Sequence, residues 1–258
     1  MAQADLVDSI RSRLRASADP ERAAGAQAYM KSTMPYLGVR VPQVRSIVRG
    51  AAKEHRHSSL NSLRSDVLRL WREAEVREER YAAIDLTGLR LAARSLDMLP
   101  VYEEFIRTGA WWDLVDGVSP RIRELLLSHP EVMKPLLIMW SRDEDLWIRR
   151  ASITSQLGAK GATDPTLLAT VIKVNLQDTD FFIRKAIGWA LREYGKTDPE
   201  WVREFVESHA DRISGLSLRE ATRNLPPRVE ASQPPSAPSP HSQGQQPRGL
   251  RSKSPTER

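Results

Sequence analysis

The sequence predicts an all-α protein: an α-solenoid of stacked helix pairs with a concave basic face, followed by a disordered C-terminal tail. Three observations carry this. Apolar residues recur at helical spacing through most of residues 1–225, no segment alternates with period two long enough to make a strand, and one motif returns at an offset of 35 residues.

The helical segments follow one another closely. Spacing at i, i+3, i+4 and i+7 predicts helices in "PQVRSIVRGAAKEH" (42–55), "LNSLRSDVLRLWREA" (60–74), "EERYAAIDLTGL" (78–89) and "LDMLPVYEEFI" (96–106). The same pattern continues in "PRIRELLLSH" (120–129), "PEVMKPLLIMWSR" (130–142), "DPTLLATVIKVNL" (164–176) and "DPEWVREFVESH" (198–209). Ser119-Pro120, Asp164-Pro165 and Asp198-Pro199 each place a capping residue before a proline, a helix-start signal.

The repeat aligns "DEDLWIRRASI" (143–153) with "DTDFFIRKAIG" (178–188). Asp143 matches Asp178, Asp145 matches Asp180, Trp147 faces Phe182, and Arg149-Arg150 faces Arg184-Lys185. Stepping back 34 residues from Asp145 reaches Trp111, and 34 more reaches Arg77. A two-helix unit of this length makes a curved stack whose concave face is the usual binding face. Adjacent units stack roughly 10 Å apart, so Arg149, Arg150, Arg184 and Lys185 form a row of cations able to follow a phosphate backbone. The four aspartates are expected to be N-caps or partners of a neighbouring repeat's arginine.

Composition bounds the function. The 258 residues contain no Cys, which excludes disulfides, thiolate catalysis and Cys-based metal sites and fits a reducing compartment. The N-terminus has no apolar signal region, and no run approaches the ~18 apolar residues of a membrane span. Net charge is +6, which points to an acidic partner. The tail, 226–258, carries five Arg/Lys, two Asp/Glu, eight prolines and six serines. It is too polar to bury a core, so a folded domain over 1–225 and a disordered basic tail over 226–258 are expected. His55 and His57, the one close His pair, are assigned to the surface.

"TGAWWDLVDGVSP" (108–120) sets two tryptophans beside two aspartates. If 110–116 is helical, Trp112 and Asp116 share a face at i and i+4. Gly117 is expected to end that short helix and Ser119-Pro120 to start the next. Trp189 likewise lies four residues after Lys185. Ordinary core packing explains Trp111; an aromatic-lined cationic groove with one carboxylate is the other reading for Trp112, Asp116 and Trp189. Asp113, rotated off that face, is expected to cap or pair locally.

"WWDLVD", "WIRRASI", "FFIRKAIGWALREYGKTDP" and "YMKSTMPYLGVRVPQVR" (29–45) together resemble the AlkD-type DNA alkylation repair enzymes, which are HEAT-like-repeat DNA glycosylases. The resemblance runs from about residue 5 to about residue 223. It implies a superhelix cradling duplex DNA and monofunctional hydrolysis of the N-glycosidic bond of N3- and N7-alkylated purines, such as 3-methyladenine and 7-methylguanine. It implies Asp116 as the catalytic carboxylate, Trp112 and Trp189 as indoles against the deoxyribose, and Arg150 close by, on the backbone or supporting the acid. Tyr29 falls on a family aromatic near the DNA. The resemblance also implies a cytoplasmic monomer that needs no metal and no nucleotide cofactor, holding the lesion in the duplex without flipping it. The alternative is a non-catalytic DNA-binding or protein-binding repeat scaffold, since function does not follow from fold.

Overall fold

A computed structural model describes residues 5–226, which hold thirteen α-helices and no strand. They are α1 (Leu6–Ala16), α2 (Pro20–Met30), α3 (Val41–Glu54), α4 (Leu60–Arg72), α5 (Arg77–Leu86), α6 (Leu99–Gly109) and α7 (Trp112–Ser128). Then come α8 (Pro130–Trp140), α9 (Leu146–Thr154), α10 (Pro165–Lys173), α11 (Phe181–Tyr194), α12 (Pro199–Glu207) and α13 (Gly215–Thr222). The expected tail, apart from Pro226, lies outside the described residues. Among the described residues no helix is long and apolar enough to cross a membrane.

The odd-numbered helices form one row. Their N-caps are Asp5, Arg40, Val76, Trp111, Asp145, Asp180 and Ser214, steps of 34 to 36 residues. Each helix of this row packs on the next, while α4, α6, α8, α10 and α12 back them as a second layer. This is an α-solenoid of helix pairs, as the repeat predicts. Helix α2 belongs to neither layer. Gly38 (φ +80°) binds it to the turn before α3; a Cβ there would stand 2.8 Å from Ala23 N. Buried Glu78 holds the same turn, accepting from the backbone N–H groups of Leu37, Gly38 and Val39 at 3.0, 2.8 and 3.1 Å.

The aspartates of the repeat do what capping chemistry predicts. Asp145 accepts from Trp147 N (2.8 Å), and Asp180 from Phe182 N (2.7 Å). Asp143 and Asp178 each accept from the N–H of the capping aspartate two residues on. Each also takes an arginine from an earlier helix, Arg107 of α6 on Asp143 (2.8 Å) and Arg149 of α9 on Asp178 (3.1 Å).

The expected break inside 112–128 is absent. Helix α7 runs through Gly117, Ser119 and Pro120 without interruption. Leu114, Val115, Val118, Ile122 and Leu125 form one buried stripe along it. Burying a single Leu or Val side chain is worth about 1.5–3 kcal/mol, so this stripe outweighs the ~3 kcal/mol penalty of an internal proline. Ser119 caps nothing: its hydroxyl meets Thr154 Oγ1 at 2.9 Å in the next repeat. His57 is not a free surface residue either. Its ring is tucked against Ser62 Oγ (3.0 Å) and the Asp66 carboxylate (3.4 Å).

Candidate active site

Asp116 occupies the fifth position of α7, and Arg150 the fifth position of α9. Because the repeat brings equivalent positions of adjacent helices together, the two side chains meet. The guanidinium donates through Nε to Oδ1 and through Nη2 to Oδ2, both at 2.8 Å. Its remaining Nη1 donates to the carbonyl of Phe182 at 2.6 Å. Arg150 is thus fixed at both ends and almost wholly buried, and it in turn fixes the plane of the carboxylate.

Burial pushes the Asp116 carboxyl above the usual carboxylate range, while Arg150 pulls it back and the Asp113 charge adds a small upward push. Burial is the larger effect, and the guanidinium's grip offsets part of it. Each oxygen keeps a lone pair that the guanidinium does not use.

Asp116 and Arg150 open onto a cleft of about 730 Å³. Trp112 and Trp189 line it, as do Tyr29 and Lys185. Tyr29 is 77% exposed although it is aromatic. Residues of α2 and α13 share this cleft, so the described stack curls until its N-terminal and C-terminal repeats face one space. Among the described residues neither Trp112 nor Trp189 packs against another aromatic ring. Trp111 does, as expected of a packing residue: it lies 5.3 Å from Phe182 and 5.9 Å from Trp147, centroid to centroid.

Six of the eight residues singled out in the sequence therefore converge: Asp116, Trp112, Trp189, Arg150, Tyr29 and Lys185. Arg149 and Arg184 are not among the lining residues. Successive helical positions are about 100° apart, so only one member of each basic pair can face the cleft. Arg149 turns back to Asp143 O, Glu144 O and Asp178, and Arg184 to Asp180 O.

Asp113 is held by a different device from the local pairing expected of it. It accepts from Arg77 Nε (3.1 Å) and from Tyr81 Oη (2.5 Å) of the preceding repeat, and Tyr36 Oη lies 3.2 Å from that of Tyr81. Arg77 and Asp113 side chains are 6% and 9% exposed, so this pair is a brace between repeats.

Sequence reasoning missed Lys31, Phe181, Arg192 and Glu220, which also line the cleft. Arg192 was within reach: it stands seven residues after Lys185 and three after Trp189, on the same helix face. Lys31 caps α2 in the left-handed conformation, which no periodicity reveals. The lining holds four cations, Lys31, Arg150, Lys185 and Arg192, against two carboxylates, Asp116 and Glu220.

The fold and cleft define a helical-repeat protein that sets a largely buried, arginine-gripped carboxylate among indoles and cations. From residue 10 to residue 225 the chain matches the model of the DNA alkylation repair enzyme family, and it belongs to that family. A solved structure of a predicted DNA alkylation repair enzyme from Enterococcus faecalis is similar to it. The TM-score is 0.72 and the identity 30%, over 81% of this chain and 97% of that one. No curated protein matches the chain.

Proposed function

We propose that this protein is a monofunctional DNA glycosylase acting on N3- and N7-alkylated purines in duplex DNA. The single observation that carries the reading is Asp116, gripped by Arg150 at 2.8 Å and set beside Trp112 and Trp189 in a cationic cleft.

Alkylation at N3 or N7 makes the purine cationic and a good leaving group. The bond from C1′ to the base nitrogen breaks, and its electron pair neutralises the purine. The sugar is left as an oxocarbenium ion. Water then adds at C1′ and loses its proton to the Asp116 carboxylate or to solvent. Asp116 stabilises the positive sugar and orients the water. Trp112 and Trp189 offer ring faces to the same developing cation, each worth roughly 0.5–2 kcal/mol. Arg150 favours the ionised form of the acid and aims it. Lys31, Lys185 and Arg192 suit the phosphates on either side, and Tyr29 reaches the cleft from α2. Contact with sugar and backbone asks for no base-sized pocket, which fits a lesion left in the stack.

The domain reading goes with this: residues 1–225 form the catalytic repeat domain, acting as a cytoplasmic monomer. The test is release of 7-methylguanine from methylated duplex DNA by the purified protein. Release at wild-type Asp116 and its collapse in Asp116→Asn support the reading. Tight duplex binding with no release of any N3- or N7-methylpurine would make the protein a binding scaffold.

A further inference from the structure

The cleft contains an acid that the proposed reaction does not use. Glu220, on α13, accepts from Lys185 Nζ at 2.9 Å and also from Arg192 Nη1. All three side chains line the cleft. The two cations sit one on each carboxylate oxygen, the arrangement in which they would grip two oxygens of a phosphodiester. They also hold the Glu220 carboxyl below the usual range, Lys185 most strongly. The Glu220 side chain is only 17% exposed, while that of Lys185 is 38% exposed.

The placement is built into the packing. Gly188 lets α13 lie directly on α11; a Cβ there would stand 2.9 Å from Ser217 O and would press on the Glu220 side chain. Ser217 Oγ donates to the Arg184 carbonyl at 2.9 Å, pinning the same turn. Glu220 is therefore delivered onto the two cations by a close helix contact, and is not a surface acid that meets them by chance.

We infer that Glu220 is a phosphate surrogate: it occupies a two-cation phosphate subsite made by Lys185 and Arg192, and so weakens the grip on undamaged duplex. The inference rests on the proposed DNA reading only for the identity of the ligand. A phosphate entering this subsite must displace a carboxylate, so the contact returns less than two free cations would give. Release of intact DNA is correspondingly faster, as a protein that must search long stretches of it requires.

The experiment is equilibrium binding of an undamaged duplex oligonucleotide to the wild-type chain and to Glu220→Gln, from 50 to 200 mM salt. The neutral amide leaves at least one cation free, so the variant is expected to bind tighter at low salt. Its salt slope should steepen by about 0.9 for one extra phosphate neutralised, so its advantage shrinks roughly 3.5-fold across that range. A double-mutant cycle keeps the test clear of folding effects: in a Lys185→Gln, Arg192→Gln background the gain should vanish. Unchanged or weaker binding by Glu220→Gln, with circular dichroism intact, overturns the inference and makes Glu220 a brace for α13. A gain that persists in the doubly neutralised background overturns it as well. A wild-type chain that binds no duplex at low salt defeats the DNA reading itself, a different result from either.

Discussion

Replacing Asp116 by Asn removes one charge from the cleft and breaks the ion pair with buried Arg150, so the variant is compared at matched folded fraction, checked by circular dichroism. The amide is nearly isosteric; its oxygen still accepts one Arg150 N–H, while its NH2 group faces the other donor and cannot accept from it. A positive sugar about 4 Å from the carboxylate, at an effective dielectric near 20, is stabilised by roughly 4 kcal/mol. An Arg150 charge ~8 Å from the same sugar would oppose it by about 2 kcal/mol, an effect the substitution leaves in place. Loss of the first interaction corresponds to ~10³ in rate. A cationic purine departs readily, so the sugar carries less than a full charge at the transition state. The expected loss is therefore ~10²–10³, the range found for single preorganised electrostatic groups. The assay is single-turnover excision of 7-methylguanine with saturating protein, which isolates the chemical step. Duplex binding by the same variant should hold or tighten slightly, because a charge that repels phosphate has gone. Asp113→Asn is the matched control. It breaks a buried pair with Arg77 and should cost ~3–5 kcal/mol of stability, while folded molecules keep their excision rate. Wild-type excision by Asp116→Asn refutes the reasoning, and loss of excision confined to folded Asp113→Asn reverses the assignment.

Other outcomes follow from the same geometry. The proposed reaction uses ionised Asp116, whose pKa burial raises, so the acid limb of the excision–pH profile should lie above the range of an ordinary exposed aspartate. Arg150→Gln removes the group that pulls this pKa down and should move that limb to higher pH, an effect that loss of stability alone does not produce. Trp112→Ala and Trp189→Ala should each slow excision by up to ~30-fold, the equivalent of a cation–π contact of about 2 kcal/mol, as single-turnover rates will show. Truncation after Pro226 should leave Tm unchanged by differential scanning calorimetry, because the removed residues are rich in proline and polar side chains.

Much of the fold could be read from the chain because a solenoid writes its geometry as period. The match of 143–153 to 178–188 predicted equivalent helices, and α9 and α11 are those helices, each capped by the expected aspartate. What misled was local chemistry taken in isolation. Ser119-Pro120 has the form of a helix start, yet the apolar stripe on either side of it is continuous, and burial decided the outcome. Asp164-Pro165 and Asp198-Pro199 have the same form and do start helices, since polar turns precede them. Pairing across repeats was equally hard to see for Asp113: its partners, Arg77 and Tyr81, are 36 and 32 residues away, and nothing in the helix that carries it points to them.

The site follows from that same period. The fifth residues of α3, α5, α7, α9, α11 and α13 are Arg45, Tyr81, Asp116, Arg150, Lys185 and Arg219. A row of this kind is basic at most steps and acidic at one, and within it Asp116 and Arg150 stand side by side. The single acid therefore has an arginine on the next helix without any special loop to bring it there. Its flanking indoles come from the same helices: Trp112 lies one turn before Asp116, and Trp189 one turn after Lys185. The basic row alone would serve any polyanion. On the proposed reading, setting one carboxylate in place of a cation, gripped by the neighbouring buried arginine, would convert a phosphate-following surface into one that can stabilise a cation on the sugar.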